Sequence, residues 1–124
     1  MLNVREWPGS NPVRLILSSS GNLDNNSAVF QQEGRIVIFT HNGKAEPCIA
    51  DKVILTRNLS SAGQIADYLY NSGIQSVLIE GGAGVLNHFI SEGLWDEARI
   101  FYGRDTFKNG ITAPAIKGTL FSNS

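Results

Sequence analysis

Cysteine is almost missing from this chain. The single Cys48 excludes an internal disulfide and any cysteine-based metal cluster. Its Pro47-Cys48 context is half of a zinc-deaminase signature, but no second cysteine follows two residues on and no His-x-Glu is present. Charge is also scarce. Charged residues make up 17% of the 124 residues and the net charge is −1, which leaves no electrostatic footprint for nucleic acid or an anionic membrane surface. An anionic ligand must then be held by a local site and not by a global field. No apolar run approaches the roughly 18 residues of a membrane helix. The opening M-L-N-V-R-E-W-P-G lacks the basic start and apolar stretch of a secretory signal, so a cytoplasmic location is expected.

What the chain does have is a hydrophobic content of 42%, enough for a single domain with a genuine core over residues 1–124. Residues 1–12 are polar and turn-rich. Three short apolar runs follow, V-R-L-I-L from Val13 to Leu17, R-I-V-I-F-T from Arg35 to Thr40 and K-V-I-L-T from Lys52 to Thr56. Nearly continuous apolar character with frequent β-branched residues predicts strands of a parallel sheet, buried on both faces. Ser61 and Gln64 have capping-box spacing, and Ala62, Ile65, Ala66 and Leu69 recur at helical period up to Gly73. Val77–Ile79 predicts another strand. Val85, Leu86, Phe89 and Ile90 predict a second helix closed by Gly93, and Arg99–Tyr102 a last strand. The predicted order is β-β-β-α-β-α-β, an α/β sandwich. Both ends lack a convincing element of their own, which predicts a fragment of a larger chain.

The most informative stretch is V-L-I-E-G-G-A-G-V-L-N-H-F-I, residues 77–90. A glycine-rich turn entering a helix presents backbone N–H groups that have no intrahelical partner, in the positive end of the helix dipole. Phosphate binds well in such places. Asn87 stands where a G-x-G-x-x-G pattern starting at Gly82 needs its third glycine, so this is not the standard dinucleotide fingerprint. On spacing alone a plainer reading stands beside it, with the glycines forming only a tight βα connection and Glu80 a solvated acid.

The run L-I-E-G-G-A-G-V-L-N-H-F-I-S-E-G-L-W-D-E-A-R-I-F resembles the reductase domain of the bifunctional riboflavin-biosynthesis deaminase/reductase family. L-N-V-R at 2–5 and N-P-V-R-L-I-L-S at 11–18 are similar to two further motifs of that family, in the same order. The resemblance implies a dihydrofolate-reductase-like α/β sandwich with a mainly parallel central sheet, here truncated at both ends. It implies NADPH-dependent reduction of 5-amino-6-(5-phosphoribosylamino)uracil, with the hydride passing directly and no protein nucleophile required.

Position by position, Glu80 matches a substrate-binding acid, while Leu2 and Arg5 match substrate contacts, Arg5 having a fork suited to a 5′-phosphate. Ser19 matches a cofactor contact, and Gly82, Ala83, Gly84, Val85, Leu86, Asn87 and His88 match the dinucleotide-binding turn and helix start. No metal ligand is implied. A zinc deaminase domain upstream in the parent chain and a homodimer are implied as partners. Trp95, Asp96 and Glu97 read as packing and turn residues. Two rivals stay open: another dihydrofolate-reductase-like NADPH oxidoreductase, or a non-catalytic binding or oligomerisation module on the same scaffold.

Overall fold

A computed structural model describes residues 8–44, 49–105 and 108–119. Leu2, Arg5 and Cys48 lie outside the described residues. The chain divides into two compact units, residues 1–61 and 62–124.

The first unit is a three-stranded parallel sheet. Strands β1 (Arg14–Leu17), β2 (Ile36–Thr40) and β3 (Asp51–Ile54) lie in the order β1-β2-β3. The register pairs Arg14 with Ile36 and Leu17 with Phe39 on one side of β2, and Val37 with Asp51 and Thr40 with Ile54 on the other. Every residue of β2 is buried. This is the outcome expected of a central parallel strand whose sequence, I-V-I-F-T, has no alternation. Phe30, from the connection between β1 and β2, packs with Ile36 and Ile38, and Ile16, Leu23, Val29 and Ala50 close around them. That connection has no helix of its own, so an irregular segment supplies the apolar cover that a crossover helix normally gives. An exposed ion pair, Arg35 Nε to Asp51 Oδ2 at 2.9 Å, joins the amino ends of β2 and β3. Such a pair is worth about 1 kcal/mol at most.

Strand β3 carries the one poorly matched group in this sheet. The Lys52 side-chain nitrogen is buried and has no hydrogen-bond partner among the described residues. Burying a polar group without an acceptor costs free energy that an apolar chain of similar length avoids. Lys52→Met is therefore expected to stabilise the fold by about 1 kcal/mol, seen as a higher midpoint in thermal unfolding. A lower midpoint would show that the amine has an anionic partner in solution.

The second unit holds α1, which begins at the boundary (Ser61–Asn71), and α2 (Ala83–Ser91). Ala62, Ile65 and Leu69 are buried along α1 and Phe89 along α2, as the helical spacing predicts. Both helices stop by the same device. Gly73 N donates to Tyr70 O and Ile74 N to Leu69 O after α1, and Gly93 N donates to Ile90 O and Leu94 N to Phe89 O after α2. Gly73 and Gly93 have φ of 71° and 67°, the left-handed region that this paired closure requires and that costs a side chain about 1 kcal/mol.

Three expectations are corrected. Helix α1 already includes Ser61, which places Ser60 at the cap position; the Ser61 hydroxyl lies 3.0 Å from His41 Nε2 instead. The strands expected at Val77–Ile79 and Arg99–Tyr102 do not form among the described residues, giving the order β-β-β-α-α. The reason is the absence of a hydrogen-bonded neighbour. An apolar run becomes a strand only beside a ladder partner, and without one Leu78 is 78% exposed and Phe101 and Tyr102 each 90%. The α/β class with a parallel sheet stands.

Candidate functional site

In the first unit, polar side chains gather where the three parallel strands end, the edge at which open α/β sheets place ligands. Ser19 lies just beyond β1 and is exposed. Its loop is tied to β2 through Ser18 N, which donates to Phe39 O at 3.0 Å. Thr40 Oγ1 donates to Ser19 O at 3.3 Å, and Asn42 Nδ2 to Ser20 O at 2.7 Å. Within the loop, Gly21 N donates to Ser18 Oγ and Asn22 N to Ser20 Oγ, each at 3.2 Å. His41, between Thr40 and Asn42, bridges Leu55 O at 3.1 Å and Ser61 Oγ at 3.0 Å. A carbonyl only accepts, so Nδ1 must carry the proton towards Leu55.

In the second unit, Glu80 is exposed and makes no hydrogen bond or ion pair with the described residues. Gly81 is the glycine of the turn that packing demands. A Cβ there would lie 2.9 Å from Val85 Cβ, so any side chain displaces the first turn of α2. Gly82 occupies the cap position in ordinary extended geometry, φ −66° and ψ 171°, with no side-chain cap bond. The first intrahelical bond runs from Leu86 N to Gly82 O at 3.2 Å. The amides of Gly82, Ala83, Gly84 and Val85 therefore have no acceptor inside the helix. Apart from chain neighbours and the helix's own backbone, no described atom lies within 4 Å of where a Cβ would stand on Gly82 or Gly84, and both glycines are exposed. A diphosphate fits this donor set: several backbone N–H groups, a helix dipole and room for close contact.

Further along α2, Val85 and Leu86 are half-buried and Asn87 and His88 exposed. His88 sits in the last turn, its carbonyl accepting from Ser91 Oγ at 3.1 Å. The amide donors thus end near Val85, and Asn87 and His88 have only side chains to offer a ligand at the helix start. Beyond the helix, an exposed Arg99 Nε lies 2.7 Å from Glu97 Oε1, and this hydrogen bond and charge hold the Arg99 pKa above its ordinary value. Among the described residues no group of three or more potential ligands is placed to hold a metal ion. No helix among them is long and apolar enough to cross a membrane.

Sequence reasoning missed three contributors. Gly81 was passed over for Gly82 and Gly84, although a glycine directly before a helix cap with Val four residues on is a signal for close packing. Thr40 ends a predicted strand, and Asn42 follows in a segment to which the sequence assigns no role. Their signal was two polar residues in T-H-N at the exit of a wholly apolar strand.

The family model for the RibD C-terminal domain matches residues 1–103, a span that holds β1 to β3, the glycine turn and both helices. The chain belongs to this family. Two curated relatives named 2,5-diamino-6-ribosylamino-4(3H)-pyrimidinone 5′-phosphate reductase are similar to it. The one from Aquifex aeolicus is 29% identical over 125 residues, covering 94% of this chain and 55% of the relative. The one from Archaeoglobus fulgidus is 22% identical over 112 residues, covering 86% and 51%. A solved structure from Thermotoga maritima, a diaminohydroxyphosphoribosylaminopyrimidine deaminase/5-amino-6-(5-phosphoribosylamino)uracil reductase, is 34% identical with a TM-score of 0.61, covering 73% of this chain and 26% of that one. This chain thus spans about half the length of the curated relatives it matches. Its fold is the α/β, dihydrofolate-reductase-like fold of the reductase part of that family.

Proposed function

We propose that this chain is part of an NADPH-dependent reductase converting 5-amino-6-(5-phosphoribosylamino)uracil to its ribitylamino product. The observation that carries the reading is the glycine-rich start of α2, with open space beside Gly82 and Gly84 and Glu80 two residues before the cap, in a chain of the RibD C-terminal domain family. A bound nicotinamide would supply the hydride for ribose C1′, with the C1′–O4′ bond opening and a proton from solvent completing the hydroxyl at O4′.

The residues of this chain bind and orient. The amides of Gly82 to Val85 hold the dinucleotide's phosphates, the side chains of Asn87 and His88 border it, and Ser19 is a further cofactor contact. Glu80 accepts hydrogen bonds from the substrate and attacks nothing. Arg5 takes the substrate's 5′-phosphate, and Leu2 is a further substrate contact. Their contribution is to hold C1′ against the nicotinamide and to fix charge around it. NADPH over NADH, a homodimer, a deaminase domain in the same parent chain and a cytoplasmic location belong to the same reading.

A second reading changes only the ring. Both curated relatives are named for a pyrimidinone bearing an amino group at position 2, where the uracil has an oxygen. Loss of NADPH absorbance with each compound separates the two. Glu80→Gln is expected to lower kcat/KM for the true substrate by about tenfold, the worth of one hydrogen bond to a charged acceptor. Turnover of dihydrofolate, with neither ribosylaminopyrimidine consumed, would overturn the proposal.

A further inference from the structure

The carboxyl edge of the first unit contains hydrogen bonds that the sheet does not need. Thr40 is 0% exposed at the last position of β2, where Val or Ile would complete the ladder equally well. Instead its hydroxyl donates to Ser19 O and accepts from Asn42 N at 3.1 Å. Asn42 continues the chain of bonds. Its Oδ1 accepts from Lys44 N at 3.1 Å, which fixes the amide plane, and its Nδ2 then donates to Ser20 O. Two successive carbonyls of the loop after β1 are thus held from the exit of β2.

We infer that Thr40 and Asn42 are positioning residues that fix the Ser19–Ser20 backbone for the dinucleotide. The consequence follows from peptide planarity. In a trans peptide the N–H points opposite to the C=O. With Ser19 O drawn to Thr40, the Ser20 N–H points away from β2; with Ser20 O drawn to Asn42, the Gly21 N–H turns away too and finds Ser18 Oγ. The Ser20 amide is then presented as a donor for a polar or anionic group of the cofactor, next in sequence to the exposed Ser19. Without the clamp the Ser19–Ser20 segment, whose two side chains are exposed, samples other peptide orientations, and binding must first restore this one. The inference rests on the reading that Ser19 touches the cofactor.

The test is titration of the purified protein with NADPH by calorimetry, alongside thermal unfolding. Asn42→Ala and Thr40→Val are each expected to raise Kd about five- to tenfold, the usual effect of one lost bond. Thr40→Ser, which keeps the hydroxyl, is expected to stay within about twofold of wild type. That rescue separates positioning from a merely structural role, in which Thr40→Ser would follow its own change in melting temperature. If Ser19→Ala and Gly82→Val weaken binding while Thr40→Val and Asn42→Ala do not, the clamp is wrong and the cofactor reading stands. If wild-type protein binds no NADPH, or Ser19→Ala and Gly82→Val leave binding unchanged, the cofactor reading fails and the inference with it.

Discussion

Gly82→Val is expected to weaken NADPH binding by tenfold or more, where each factor of ten is about 1.4 kcal/mol, while the fold loses only about 1 kcal/mol. The asymmetry comes from what surrounds this position. Gly82 has backbone angles that any residue adopts, and a Cβ on it meets nothing within 4 Å. The small cost to the fold is that of a poorer helix cap. A loss of binding far above it reports the ligand's own need for the space. Gly84→Ala sharpens the contrast, because alanine in the first turn of a helix is more stable than glycine by about 0.5–1 kcal/mol. It is expected to raise the melting temperature and still impair binding. Gly81→Ala is the opposite control. Its Cβ would stand 2.9 Å from Val85 Cβ, so the turn must shift, at about 1–3 kcal/mol. Calorimetric titration beside thermal unfolding gives all three comparisons. Unchanged affinity in Gly82→Val would remove the phosphates from the start of α2.

The glycine turn was legible because everything it needs is local. Glu80, the glycines and the apolar face of α2 lie within one stretch of sequence, and their spacing says strand exit, turn, helix. The division of labour among the glycines was not legible. Gly81 is required by Val85, Gly82 is the cap and Gly84 belongs to the helix, and only atomic positions separate packing from openness. The bonds from Thr40 to Ser19 and from Asn42 to Ser20 were hidden for another reason. Their partners are 21 and 22 residues away in sequence, and nothing in T-H-N says which loop lies beside it. His41 and Ser61 repeat the lesson. The capping-box spacing was real, but the Ser61 hydroxyl went to an imidazole 20 residues upstream.

The same distinction runs through the fold. Helices α1 and α2 and their closures at Gly73 and Gly93 follow from nearest-neighbour chemistry, so they appear where the pattern puts them. Strands depend on partners. Three apolar runs found each other and made a parallel sheet, with boundaries moved by a residue or two. The runs at 77–79 and 99–102 have equal strand propensity and no partner among the described residues, and propensity alone does not form a ladder.

Replacing Arg14 is expected to be the most damaging single change to the first unit, although it touches no proposed ligand. Arg14 opens β1, is only 4% exposed, and places Nη2 2.7 Å from Gln32 O, 3.2 Å from Glu33 O and 3.3 Å from Gly34 O. Its Nη1 reaches Gln32 Oε1 at 3.5 Å. Three consecutive carbonyls turned onto one cation require a sharply bent backbone, and Gly34, with φ of 120°, supplies the bend just before β2. The guanidinium therefore fixes where β2 begins, and the register of β2 against β1 sets the height of Thr40 beside Ser19. Arg14→Met keeps the bulk and removes every one of these bonds. Hydrogen bonds to a charged donor are worth about 1.5–3 kcal/mol each, but the carbonyls of this loop lie near solvent and recover part of that from water, so the net cost is about 2–3 kcal/mol. Thermal unfolding is expected to show a midpoint lower by roughly 10 °C. Arg14→Lys, which keeps the charge and loses the fork, should recover less than half of it. A lysine variant as stable as wild type would mean that charge alone holds the loop. NADPH affinity, measured well below the midpoint, separates the two levels of the argument: the arginine acts on the site only through β2, so cooling the Met variant to where it is fully folded should restore most of its binding.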